Sequence, residues 1–438
     1  MVIPDPIKLH EVEIGRSLPS LPTVNEETGR RYRRGLSLVR LHTYPLGMVE
    51  LTLSGDELTP ADYAAQIWDA FGLEISAHLE ADGLPQPSQL SEAGLPSVAA
   101  PACQHDRNLV LSNAPSVSVV VPTRDGGARL GPCLDSLLAC SYPSERREIV
   151  VVDNVPKTSK TADFLHAEFG DQVRYLREDV AGSASARNRG LAAASGEIVA
   201  FIDDDAVADR YWLVELAKAF SLNPDVACVT QLILPAELEW PAQLWFEEYG
   251  GATKGFARRV FDMHANRPDD PLFPFNAGRF GSGGSMAFKR VLLERLGGFD
   301  PALGNGTPAL GGVDLEVFFR TLIEGYTLVY EPAAIVRHRH LRDAAELRDR
   351  VYAYGVGLSA FVLRSLVAKP SLIPSLIRRL PQGLHFALAP SSAKNTRKSP
   401  SYPGELRRAE LKGMLYGPIA YAISATRFGW PVRVSRER

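Results

Sequence analysis

The sequence predicts an α/β protein: a mostly parallel sheet with helices on both faces, preceded by a small N-terminal α+β module and followed by a helical C-terminal region. Three observations predict it. From Pro115 onward short apolar runs alternate with amphipathic helical patterns, as βαβ units require. One of these runs, residues 197–205 (EIVAFIDDD), stops abruptly at Asp203, Asp204 and Asp205, which puts three carboxylates at a strand's carboxyl end, where open α/β sheets gather ligands. A chain of 438 residues that is 45% hydrophobic can also bury a large core and divide into domains.

Taken in order, residues 31–53 alternate apolar and polar positions around a Tyr44-Pro45-Leu46-Gly47 turn signal, which predicts a hairpin. A helix follows. Thr59 suits its N-cap, Pro60 its first position and Asp62 a capping box, with Ala64, Ile67, Trp68 and Phe71 as its apolar stripe. Residues 83–102 are rich in Pro, Ser and Ala and read as a connector. Then come strand 117–121, a helix striped by Leu130, Leu134, Leu137 and Leu138, strand 148–153, a helix at 160–169, strand 173–176 and a helix at 184–194. The acidic strand leads to a helix that Asp209 can cap, with Trp212, Leu213, Leu216 and Phe220 on one face, and strand 226–234 closes the series. Residues 235–312 are less regular and rich in glycine and aromatics; helix 314–324 and strand 327–340 complete the pattern. The expected division is an N-terminal module (1–82), a linker (83–114), the α/β domain (115–342) and a basic helical region (343–438).

Composition narrows the partners. From residue 351 on, 14 lysines and arginines face three glutamates in a chain of net charge −3. A basic tail on an acidic body points to an anionic partner surface. Its apolar segments fit either interfacial binding to anionic lipid or a helical subdomain packed on the α/β domain, and the two are compatible. Nucleic acid is not expected, because no recognisable binding fold accompanies the cations. The N-terminus lacks a signal-peptide pattern, and no uncharged apolar run of about 18 residues stands out, so no membrane span is expected. Cys103, Cys133, Cys140 and Cys228 show no metal-type spacing and read as reduced thiols of a cytosolic protein.

The chemistry is narrowed by what the loops lack and carry. No GxGxxG follows the first strand and no GxxxxGK[ST] occurs, which removes dinucleotide dehydrogenases and P-loop enzymes. The loop Pro122, Thr123, Arg124, Asp125 could instead hold a phosphate and a base or ribose, and Asp153, ending the second strand, offers a carboxylate to nucleoside donors or simply caps a turn. Adjacent carboxylates repel, so a hard divalent cation carrying a diphosphate is the natural guest of Asp203–Asp205. Arg187 and Asn188, near a helix start, can hold phosphate, or Arg187 can pair with Glu178 or Asp179. His338 and His340, two apart on a strand, are expected to point the same way.

In this order, VSVVVPTRDGG (117–127), IVVVDN (149–154), SASARNRGLAAASGEIVAFIDDD (183–205), GSGGSMAFKR (281–290), GGFDPALG (297–304), GGVDLEVFFR (311–320) and VYEPAAIVRHRH (329–340) resemble glycosyltransferase family 2. These are inverting nucleotide-sugar transferases of GT-A type, Rossmann-like fold. The resemblance spans roughly residues 115–342, and the flanking segments look like those attached to such transferases in actinobacteria. It implies a nucleoside-diphosphate sugar donor, UDP-linked, and a glycan or lipid-linked acceptor, with Mg2+ or Mn2+ as cofactor. Asp203 and Asp205 would frame a DxD motif, Asp205 binding the metal and Asp203 or Asp204 meeting ribose or a metal-bound water. His338, preferred over His340, would complete that site. Pro122, Thr123, Arg124, Asp125, Asp153, Arg187, Asn188, Asp203 and Asp204 would hold the nucleotide sugar. Gly283, Gly284, Ser285, Glu316 and Arg320 would meet the acceptor or donor sugar, with a Glu316–Arg320 pair four apart bracing the helix.

Asp314 takes the place of the family's general base, its alternative being an ordinary N-cap. Where the family has Gly-Glu-Asp, this chain has Gly312-Val313-Asp314, which leaves open a catalytically impaired, nucleotide-sugar-binding scaffold. A sugar-nucleotide pyrophosphorylase is a further rival, but lacks its glycine-rich loop here. The expected setting is cytoplasmic cell-envelope polysaccharide synthesis, with the protein peripheral at the inner face of the membrane.

Overall fold

Apolar runs buried on both sides build one large mixed sheet in the computed structural model, which describes residues 4–26, 28–95 and 101–430. Arg174–Glu178, Arg147–Asn154, Val117–Thr123 and Ile198–Ile202 lie side by side and parallel. Ser285–Lys289 follows, antiparallel to both Ile198–Ile202 and Val226–Pro235. Val226–Pro235 runs parallel to Thr327–His338, which is flanked by the short antiparallel strands Ala206–Ala208 and Arg259–Phe261. The sheet is therefore parallel across one half and mixed across the other. Ser285–Lys289 hides in sequence because glycines precede it and it spans only five residues.

Alternation along each strand sends Val119 and Val121 into one core and Val120 into the other. Helices cover both faces. Ser183–Ala193 packs so closely that a Cβ at Gly190 would lie 2.3 Å from Val120.

The N-terminal module is a three-stranded sheet with the helix Pro60–Ala81. Thr59 donates its N–H (2.9 Å) and its hydroxyl (2.5 Å) to the Asp62 carboxylate, as the sequence led one to expect. The hairpin Arg34–Leu41/Tyr44–Thr52 turns two residues early, at His42 and Thr43, and Tyr44-Pro45-Leu46-Gly47 belongs to its second strand. The cause is distant in sequence: the Glu13 carboxylate accepts from the backbone N–H of His42 (3.1 Å) and of Thr43 (2.8 Å). Glu13 ends Ile7–Glu13, a strand that pairs parallel to Arg34–Leu41 and was not expected. Within the connector, residues 96–100 lie outside the described residues. Its end runs into the helix Ala102–Ser112, docked on Trp212–Phe220 by a buried Arg107–Glu215 pair (2.8 Å).

All four cysteines are free; Cys133, Cys140 and Cys228 are buried, whereas Cys103 is half-buried beside two histidines. The C-terminal region is helical: Ala344–Ala368, Ile373–Leu388 and Gly404–Phe428. The first, contrary to the sequence expectation, is long and apolar enough to cross a membrane by length and composition. It packs instead, in part, against Gly404–Phe428, where a Cβ at Gly413 would meet the Tyr352 carbonyl at 2.2 Å.

Candidate active site

The parallel strands deliver their carboxyl ends to one edge, and the acidic triplet sits there with Asp203 and Asp205 converging and Asp204 turned to other partners. Asp203 accepts from the Arg187 guanidinium (3.3 Å), which also donates to the Gly283 carbonyl (3.2 Å). Asp204 accepts from the Thr123 hydroxyl at 2.5 Å and lies 3.5 Å from Arg129. Asp205 pairs with His338 Nε2 at 3.1 Å. Ligand atoms of Asp203, Asp205 and His338 all lie within 4.8 Å of one another, and two carboxylates with one imidazole suit a hard divalent cation that tolerates nitrogen. His338 comes from the far strand because Ala206 pairs with it directly across the ladder.

Electrostatics separate the three acids. Burial raises Asp203, with Arg187 only partly offsetting it, and burial likewise raises Asp204 against the Thr123 hydrogen bond. Burial would also raise Asp205, but the hydrogen bond and charge of His338 outweigh it and hold it below the usual carboxylate range. For His338 burial works toward a lower value, and Asp205 overrides it.

Asp314 meets this cluster across two glycines. It stands in the first turn of Val313–Ile323, whose N-cap is Gly312, so Asp314 is not a cap. Its Oδ2 accepts from the Gly283 N–H (2.9 Å), while the Gly284 carbonyl accepts from the Asp203 N–H (2.9 Å). A Cβ at Gly283 would crowd the Asp314 carboxylate at 3.1 Å, and one at Gly284 would lie 3.3 Å from Asp203 Oδ2. The two acids thus border one cavity of about 1160 Å³, together with Arg187, His338, Lys254 and Arg350.

The remaining nucleotide-side residues stand beyond Asp204. Thr123 pairs in register with Asp153. Buried Asp153 accepts from the Asp125 N–H through Oδ1 (2.9 Å), and its Oδ2 has no hydrogen-bond partner among the described residues. Pro122 is half-buried and Arg124 exposed.

Six expected site residues are put to other uses. The Asp125 carboxylate accepts from the N–H groups of Lys157 (2.9 Å) and Thr158 (3.2 Å), which fixes a neighbouring loop. Asn188 lies inside its helix and clamps Phe299 through both its N–H and its carbonyl (2.8 Å each). Ser285 is buried, and its hydroxyl is hydrogen-bonded to the Gln231 side chain (2.6 Å). Glu316 and Arg320 do pair four apart (2.9 Å), but both are buried away from the cavity, and Glu316 also binds Arg364 (2.6 Å). His340 borders the cavity without joining His338: the strand ends at His338, so alternation lapses, and His340 Nε2 pairs with Glu247 (2.8 Å) against the Phe246 ring. Arg187 pairs with Asp203 rather than with Glu178 or Asp179, and Arg177 holds Asp179.

Several cations of the cavity wall were missed, Lys254 and Arg350 among them. Lys254 lies in the irregular stretch, and burial lowers its amine to about 8 despite the opposing charges of Glu247 and Asp314. Arg350, on Ala344–Ala368, is close enough for its charge to act on Asp203, Asp205 and His338. Only the basic character of the tail hinted at it.

Residues 118–297 match the model of Glycosyl transferase family 2. The chain is 27% identical over 249 residues to a pre-mycofactocin glycosyltransferase of Mycobacterium tuberculosis, covering 57% of this chain and 48% of that one. It is 26% identical over 230 residues to a glucosyl-dolichyl phosphate glucuronosyltransferase of Haloferax volcanii, covering 51% and 69%. The chain thus spans about half the length of the first of these relatives. Among solved structures, a Pyrobaculum calidifontis mannosyltransferase in complex with GDP-Man and Mn2+ superposes with TM-score 0.42 at 21% identity, covering 75% of this chain and 95% of that one. Residues 118–297, which carry the acidic triplet and the Gly283–Gly284 pair, are thus similar to glycosyl transferase family 2.

Proposed function

We propose that this chain is an inverting glycosyltransferase that moves a sugar from a nucleoside-diphosphate donor to an acceptor hydroxyl. The observation that carries it is the Gly283–Gly284 bridge, which sets the Asp314 carboxylate on one cavity with Asp203 and His338 of the Asp203/Asp205/His338 cluster. Asp203, Asp205 and His338 would hold Mn2+ or Mg2+, which neutralises charge on a diphosphate leaving group when bound. Arg187 and Arg350 add fixed positive charge at the same end. Asp314 accepts the proton of the acceptor hydroxyl as that oxygen attacks the anomeric carbon opposite the departing nucleotide. The unpartnered oxygen of Asp153 fits a base that presents a ring N–H, as uracil and guanine do, which supports a UDP-linked donor over an adenine or cytosine one.

A lipid-linked acceptor is favoured by the helix Ile373–Leu388. Its Pro381, Gln382, His385 and Phe386 border the cavity, while Ile377, Leu380 and Leu384 are 64%, 52% and 51% exposed at helical spacing. Arg378 and Arg379 accompany that apolar row. Such a helix lies in a lipid interface, which would bring a membrane-borne acceptor to the mouth of the site, on the cytoplasmic face.

Turnover of a sugar-nucleotide panel with Mn2+ tests the reaction class. Inversion at the anomeric carbon with release of nucleoside diphosphate is expected; pyrophosphate release would instead indicate a nucleotidyltransferase. Buried Val313, packed into the core at the helix start, favours the alternative of a donor-binding scaffold, which would bind a donor and never release it as products.

A further inference from the structure

The N-terminal module holds a second cluster that the transfer chemistry does not use. His42 Nδ1, His78 Nε2, Asp82 Oδ2 and Cys103 Sγ converge with every ligand atom within 4.8 Å of the others. His42 lies 2.8 Å from Asp82 and 3.2 Å from His78; Cys103 Sγ lies 3.0 Å from Asp82, 3.6 Å from His78 and 3.8 Å from His42. Donors about 2.0–2.3 Å from a tetrahedral ion stand roughly 3.3–3.8 Å apart, close to this spacing. We propose that these four residues form a closed zinc site that fastens the N-terminal module to the catalytic domain.

Three features support it. Two imidazoles, a thiolate and a carboxylate are the donor set of zinc rather than of Mg2+ or Ca2+. All three other ligand atoms converge on the single oxygen Asp82 Oδ2, His42 Nδ1 at 2.8 Å, Cys103 Sγ at 3.0 Å and His78 Nε2 at 3.3 Å. The side chains of His42, His78 and Asp82 are only 9%, 16% and 3% exposed, so no position is left open for substrate. The Cys103 N–H donates to Asp82 Oδ1 (2.7 Å), which leaves Oδ2 to the ion. On binding, Cys103 gives its thiol proton to solvent.

The ligands come from a hairpin turn, the end of Pro60–Ala81 with its C-cap, and the start of Ala102–Ser112. One turn beyond Cys103, Arg107 reaches Glu215 and lies between the rings of Tyr44 (4.5 Å) and Tyr211 (3.9 Å). The ion would therefore lock the module against the helix that follows the acidic strand.

The test uses the full chain without a histidine tag, carrying Asp205→Ala and His338→Ala so that the other cluster cannot contribute. After expression in zinc-supplemented medium and desalting, elemental analysis is expected to find one zinc per chain, falling several-fold on adding Cys103→Ser or His78→Ala. Cobalt replacing zinc should give intense visible bands of a four-coordinate ion and a thiolate charge-transfer band that Cys103→Ser removes. A chain without stoichiometric zinc, or a cobalt spectrum that Cys103→Ser leaves unchanged, would overturn the proposal. Neither result depends on whether the chain transfers sugar.

Discussion

At the scale of single residues, the acidic triplet was readable because an apolar strand ends directly in it, and the Glu316–Arg320 pair because helical spacing dictates it. Third partners were not readable. Arg364, 48 positions from Glu316 in the chain, makes that pair a buried triad, so its function is to hold the helix rather than to meet sugar. Glu316→Ala should accordingly destabilise the protein by about 3–5 kcal/mol, because Arg320 loses its buried counter-charge and Arg364 keeps only Asp300. Chemical denaturation would show this, with Mn2+-dependent donor binding by the folded fraction unchanged. Lys254 gives a pH signature. Its folded value near 8, against an ordinary 10.5, means that between those pH values the unfolded chain binds a proton that the folded one lacks. Stability should therefore rise with pH across that window relative to Lys254→Met, whose difference curve would otherwise stay flat.

Secondary structure was legible wherever period and flanking signals agreed. Strands at 147–154 and 226–235 and the Thr59-capped helix appear close to where their patterns put them. Local reasoning failed where distant partners decide. Glu13 moves the hairpin turn to His42 and Thr43, and a five-residue strand behind the glycines of 281–284 is fixed only by its neighbours on both sides. The His42/His78/Asp82/Cys103 cluster escaped notice for the same reason, since only His78 and Asp82 are close in sequence. The helix Ile373–Leu388 carries its own prediction. Leu380→Glu with Leu384→Glu should abolish sedimentation with anionic vesicles while a water-soluble acceptor analogue is still glycosylated; undiminished vesicle binding would remove this helix from the interface.

Across the whole molecule, three separate regions converge on one cavity: the carboxyl ends of parallel strands supply acids, the glycine-rich segment brings Asp314 beside them, and the C-terminal helices add Arg350 and an apolar rim. The sequence placed the first two in the α/β region, but nothing local could show that the tail folds back to form a wall. Thermal stabilisation by Mn2+ together with a sugar nucleotide follows from such a site, and it should vanish in Asp205→Ala. The most direct measurement compares nucleoside-diphosphate release by the wild type and by Asp314→Asn under saturating donor and Mn2+. Release slowed by about 10²–10⁴-fold, with donor-induced stabilisation intact, is the predicted result; equal rates in the two proteins would contradict the role of Asp314 and the transfer mechanism built on it.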